Sequence, residues 1–158
     1  MRNALMAGAL ALVGAVPAQA QQARLDAKTA QAVVAGCAAH AAAKKQSHSI
    51  AVVDIGGHVI AALRMDGTGS GMMDFAQAKA EAVAAWGFST AEMVEGAKDT
   101  PGFARAPHVV TVAGGVPIFS ADGKIRLGGA GASGEAPEED AACVTAGIVA
   151  AGLRAIRS

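Results

Sequence analysis

Apolar positions recur along this chain with two periods. Between Asp26 and about Lys45, Val33, Val34, Cys37, Ala38 and Ala41 fall on one helical face, with Asp26 placed to cap the start and Lys44 and Lys45 near the end. The segment SIAVVDIGGHVIAALRMDG then alternates as two strands, Ser49 to Val53 and His58 to Arg64, joined through Asp54, Ile55, Gly56 and Gly57 as a hairpin. A second helix is predicted over Met73 to Trp86. A third opens at STAEM, where Ser89 and Glu92 have capping-box spacing. KDTPGFARAPH, broken by Pro101, Gly102 and Pro107, is a loop of the kind that carries sites. VVTVAGGVPIF and GKIRLGGAGASG are two further strands around the Gly114-Gly115 and Asp122-Gly123 turns, and a last helix fills Pro137 to about Arg157.

The order α-β-β-α-α-β-β-α with hairpin-length links predicts an α/β domain of the α+β type. Its sheet is antiparallel, of about four to five strands, with helices packed on it. Ahead of it, a single basic residue, an apolar run from Ala4 to Val16 and the small-x-small site Ala18-Gln19-Ala20 read as a secretory signal over residues 1–20. Residues 21–158 then form one domain, expected in the periplasm or secreted.

Gly129, Gly131 and Gly134 satisfy G-x-G-x-x-G. A dinucleotide site, however, needs a further strand with an acidic residue about twenty positions on, and only one helix follows here. Glu135, Glu138, Glu139 and Asp140 also place negative charge where a pyrophosphate would sit. Ser133 only loosely resembles a nucleophile turn, because Glu135 takes the final glycine position.

Acidic and basic residues balance at 13 each, without a basic run, which argues against nucleic-acid binding and against a membrane patch after signal cleavage. Abundant Ala and Gly limit apolar bulk per residue and favour a homo-oligomer. Cys37 and Cys143 sit on Ala/Val-rich faces of the first and last helices and are expected to pair in an oxidising compartment. Cys37-Ala38-Ala39-His40 lacks the second cysteine of the covalent haem motif.

Of the four histidines, His40, His48 and His58 read as bland. His108, following Pro107 where the loop meets a strand, is placed to face a cleft. Lys79 falls inside the apolar stripe of Phe75, Ala82, Val83 and Trp86, so it either pairs with Asp54 or Asp66 or offers a cation to a carboxylate. Met72, Met73, Phe75 and Phe103 are candidate apolar walls.

SIAVVDIGGHVIAALRMDG, AKAEAVAAWGFST, TVAGGVPIF and IRLGGAGASGEAPEEDAACVTAG, in that order and spacing, resemble the GlcG/HbpS family, also found as the C-terminal domain of PduO-type proteins. The resemblance covers about Ser47 to Gly152. Lys79 matches the family's helical lysine, and Gly129, Gly131, Ser133, Gly134 and Asp140 match its C-terminal turn. It implies oligomers from dimer to octamer and non-covalent haem.

The expected function is therefore an exported, oligomeric haem-binding protein for haem storage, transport or sensing, rather than a conventional enzyme. His108 is the expected iron ligand. Lys79, Arg64 and Arg105 are the expected propionate partners, and Met72, Met73, Phe75 and Phe103 the slot. The alternative is a binding or accessory catalytic domain for a small organic acid such as a 2-hydroxy acid, clamped by Lys79 and Arg64. Mass spectrometry of exported protein is expected to find Gln21 at the N-terminus; retention of Met1 would refute the signal reading.

Overall fold

A computed structural model describes residues 24–158, so the expected signal segment lies outside the described residues. The elements are α1 (Ala27–Ala43), β1 (Ser49–Asp54), β2 (Val59–Arg64), α2 (Ser70–Trp86), α3 (Thr90–Asp99), a 3-10 turn (Phe103–Arg105), β3 (Gly115–Phe119), β4 (Arg126–Ser133) and α4 (Pro137–Ala150). The four strands form one antiparallel sheet in the order β2-β1-β4-β3. The α+β class and element order are those predicted, with four strands among the described residues.

Period two along β1 divides the core. Ile50 and Val52 face α1 and α4, together with Val116, Ile118, Ala130 and Ala132, whereas Ala51 and Val53 face Ala76, Ala80 and Ala84 of α2. α2 therefore covers one side of the sheet and the α1–α4 pair the other. A Cβ on Gly129 would collide with the Ala80 carbonyl and Val83, and one on Gly131 with the Ala76 carbonyl. The glycine-rich strand is thus the seat on which α2 lies against the sheet, which is the physical use of the G-x-G pattern.

Caps fix the helix starts. The Asp26 carboxylate accepts from Thr29 N at 2.7 Å, and Ser89 and Glu92 form the expected reciprocal capping box. Pro117 sits in β3, an edge strand where a missing N–H is tolerated.

Beyond shifts of a few residues at other ends, three boundaries differ from the sequence reading. α2 begins at Ser70 rather than Met73. Residues 109–113 are irregular rather than strand, because Gly114 at φ 125° redirects the chain before β3 and Val109 and Val110 pack with Met93 and Phe103 instead. His108 consequently occupies a turn, not a strand junction. The last helix stops at Ala150: Gly152 takes φ 74°, Leu153 N bonds Ile148 O, and the tail leaves to bridge Phe119 and Arg154.

Cys37 of α1 and Cys143 of α4 are disulfide-bonded, with Cα atoms 4.6 Å apart and a sequence separation of 106. Closing so long a loop restricts the unfolded chain by up to about 4–5 kcal/mol. Reduction during urea unfolding is expected to lower the midpoint markedly; two reactive thiols per chain in unreduced, unfolded protein would refute the bond.

Candidate functional site

Lys79 is 1% exposed, on the α2 face that meets the sheet. Its ammonium donates to Asp140 Oδ2 and to the Ala132 carbonyl, each at 2.9 Å, and lies 4.7 Å from the Phe75 ring centroid. Asp140, in the first turn of α4, uses its other oxygen for His48 Nδ1 at 3.0 Å and for the Glu135 N–H at 3.2 Å. Both carboxylate oxygens accept, so His48 Nδ1 carries a proton and Nε2 is the buried atom left without a partner. The negative charge also lies at a helix N-terminus, where the backbone dipole favours it. The Lys79 pairing expected with Asp54 or Asp66 is made with Asp140 instead. The ammonium is thus enclosed and engaged within the chain.

At the other end of α2, Gly87 takes φ 85° and turns the chain into α3. Around this elbow Trp86, Phe88 and Phe103 cluster, with ring centroids 5.3 Å apart for Trp86–Phe103 and 6.0 Å for Trp86–Phe88. Trp86 Nε1 donates to the Pro107 carbonyl at 3.0 Å and pins the 101–109 loop to the helix end. The next residue, His108, is exposed at φ 58°, and its imidazole has no hydrogen-bond partner among the described residues. Left-handed backbone at a residue other than glycine is uncommon, and here it falls on an exposed histidine next to the proline that Trp86 holds.

Beside the elbow lies a cleft of about 900 Å³, running along the edge strand β3 to the 151–158 tail. Trp86, Phe88, Val116 and Pro117 contribute apolar walls, and Lys124, Arg126 and Arg157 contribute cations. The size is in the ~300–1,000 Å³ range of small-molecule sites.

Residues 25–149 match the family described as haem degrading protein HbpS-like. The chain belongs to the HbpS-like family. Its fold is also that of a double-mutant HbpS from Streptomyces reticuli, 24% identical with a TM-score of 0.75, over 90% of this chain and 97% of that one. Protein ORFY of Klebsiella pneumoniae is 20% identical with a TM-score of 0.75, over 87% and 97% of the two chains. A PduOC–haem complex is 21% identical with a TM-score of 0.76, over 85% and 100%. No match was found among curated proteins.

Within this HbpS-like chain the residues singled out from the sequence fall into two groups. Phe103, Arg105 and His108 lie on the loop at the C-terminal end of α2. Met72, Met73 and Phe75 lie at its N-terminal end, where Met72 Sδ accepts from Ser133 Oγ at 3.4 Å. Along α2, Met72 and Trp86 are about 21 Å apart at ~1.5 Å per residue, so the methionines and Phe103 do not wall one slot in a single chain. Arg64, exposed on β2, donates to the Thr68 carbonyl at 2.6 Å and does not converge with the enclosed Lys79 on one carboxylate.

Trp86, Phe88, Lys124, Arg126 and Arg157 were not legible as a site. The one available signal was that Trp86 is the chain's single tryptophan. His48, bland in the sequence, is fully buried against Asp140. His58 is exposed, as expected, beside Asp54. The Asp54 carboxyl is held below its ordinary range, first by the His58 backbone N–H and then by that of Gly56. This hairpin contact is present above the unfolded carboxylate pKa and is lost as pH falls through the lower folded one. Among the described residues no group of three or more His, Cys, Asp or Glu is gathered to hold a metal, and no helix is long and apolar enough to cross a membrane.

Removing one member of the buried pair strands the other. Lys79→Met or Asp140→Asn is expected to cost about 3–5 kcal/mol in urea unfolding, and the double variant Lys79→Met/Asp140→Leu to recover part of that loss. Equal stability of Lys79→Met and the parent would show that the pair does not hold the fold.

Proposed function

We propose that this chain is an exported, oligomeric haem-binding protein that stores, carries or senses haem without a covalent link. The observation that carries the reading is the elbow of α2. There an aromatic cluster and an amphipathic cleft share Trp86 and Phe88, and His108 directly follows the residue whose carbonyl Trp86 holds, in a chain of the HbpS-like family. Haem requires an apolar slot, a donor for iron and cations for its propionates, and the described residues fit these demands. His108 is the donor, Trp86, Phe88 and Phe103 the apolar surface, and Arg105 on the same loop a cation. Bound haem would supply an iron centre for ligand or redox chemistry. The chain's own residues orient the macrocycle and shield one face of it from water.

Non-covalent attachment is favoured because the chain's two cysteines are bonded to each other, leaving no thiol for a thioether. Self-association is favoured by edge strand β2, where Val59 and Leu63 remain 46% and 38% exposed beside Ile55. Export is favoured by the leader pattern and by a disulfide suited to an oxidising compartment.

Haem titration of the protein lacking residues 1–20 is expected to give a Soret band. His108→Ala should shift that band and weaken binding severalfold. An unchanged spectrum and affinity in His108→Ala would remove His108 as the iron ligand, and the absence of any Soret change in the parent would overturn the haem reading.

A further inference from the structure

The cleft beside the α2 elbow carries positive charge that the fold leaves unused. Lys124 and Arg126 come from the β3–β4 hairpin and β4, and Arg157 from the tail, and none is in an ion pair among the described residues. The cleft contains one acid, Glu92, whose carboxylate is occupied by the Ser89 N–H and hydroxyl at 2.6 and 2.7 Å. The guanidinium of Arg126 lies over Gly87, where any Cβ would collide with it, yet it makes no hydrogen bond there.

The outer wall is built rather than incidental. Phe119 and Arg154 exchange two backbone bonds of 2.8 and 3.1 Å, and Ser158 N bonds the Gly123 carbonyl at 3.2 Å, holding Arg157 at the cleft. Opposite it stand Trp86, with its N–H already bonded to Pro107, and Phe88, so the aromatic wall offers ring surface rather than a donor.

An apolar wall faced by three cations, none of them in an ion pair among the described residues and together outnumbering the single acid Glu92, selects for a flat apolar body carrying two anionic groups. We infer that this cleft is a carboxylate-gripping subsite for a planar dicarboxylate, in which Lys124, Arg126 and Arg157 hold the carboxylates and Trp86 and Phe88 meet the ring. The choice of a porphyrin as ligand rests on the haem-binding reading. The grip itself does not depend on iron or on His108.

The test uses iron-free protoporphyrin, a dicarboxylate, and its dimethyl ester, titrated into the disulfide-intact protein with fluorescence of Trp86 as readout. The acid is expected to quench Trp86, and the ester to bind about tenfold more weakly. Affinity for the acid should fall as salt rises. The variant Lys124→Gln/Arg126→Gln/Arg157→Gln should lose about tenfold in affinity for the acid while keeping the parent's thermal melting. Should the triple variant melt early, the single variants Lys124→Gln and Arg157→Gln, at exposed positions, are each expected to lose a measurable part of the affinity.

Equal binding of acid and ester, no salt dependence, or full affinity in the variants would overturn the inference. The two readings fail separately. A parent that gives a normal Soret band with haem while the cation variants bind haem unchanged refutes the subsite alone. A parent that binds iron-free protoporphyrin through the three cations but gives no Soret change with haem refutes the haem reading and leaves the subsite standing.

Discussion

The buried pair between Lys79 and Asp140 ties together elements that lie on opposite faces of the sheet. α2 covers one side and α4 the other, so the ammonium reaches past the end of β4, taking the Ala132 carbonyl on the way, to meet the carboxylate at the start of α4. His48, just before β1, bonds the same carboxylate from a third direction. Each charge has been taken from water at considerable cost, and the cost is recovered only while all the partners hold their places. The positions of α2, α4 and the ends of β1 and β4 are thereby coupled: displacing any one of them leaves a buried charge unpaired.

Close packing of small side chains makes that coupling possible. α2 lies directly on Gly129 and Gly131, and Ala76, Ala80 and Ala84 meet Ala51 and Val53 with little side chain between backbones. Interfaces of this kind gain modestly from hydrophobic area, since each alanine buries little apolar surface. The disulfide between α1 and α4 compensates on the other face by limiting the unfolded chain rather than by adding contact area. The fold is thus held by a few specific crosslinks, one covalent and one ionic, laid over a thin core.

The far end of α2 has the opposite character. Gly87 turns the chain out of the helix, Trp86 remains 39% exposed, and the loop carrying His108 is fastened by the bond from Trp86 Nε1 to Pro107 and by packing of Phe103, Val109 and Val110. Rigid anchoring at one end of the helix leaves the other end free to present rings, a histidine and cations to solvent. Pro117 on the neighbouring edge strand, which lines the cleft, discourages further strand pairing there.

The sequence by itself determined the order of elements, the antiparallel hairpins, the Ser89 capping box and the exclusion of a dinucleotide site, because these follow from periodicity, turn residues and local charge. It also marked Lys79 as anomalous, since a lysine inside an apolar stripe must find a partner. That the partner is Asp140 and not Asp54 or Asp66 was decided only in three dimensions, as the residues lie 61 positions apart and meet around the end of a strand. The same holds for the cleft: Trp86, Lys124, Arg126 and Arg157 share no motif and come from separate segments. Residues 109–113 and 151–158 carried strand-like and helix-like patterns, but backbone at Gly114 and Gly152 with positive φ redirected both. Local pattern specifies what a segment can become; which distant side chains it meets depends on how the sheet order brings the helix ends together.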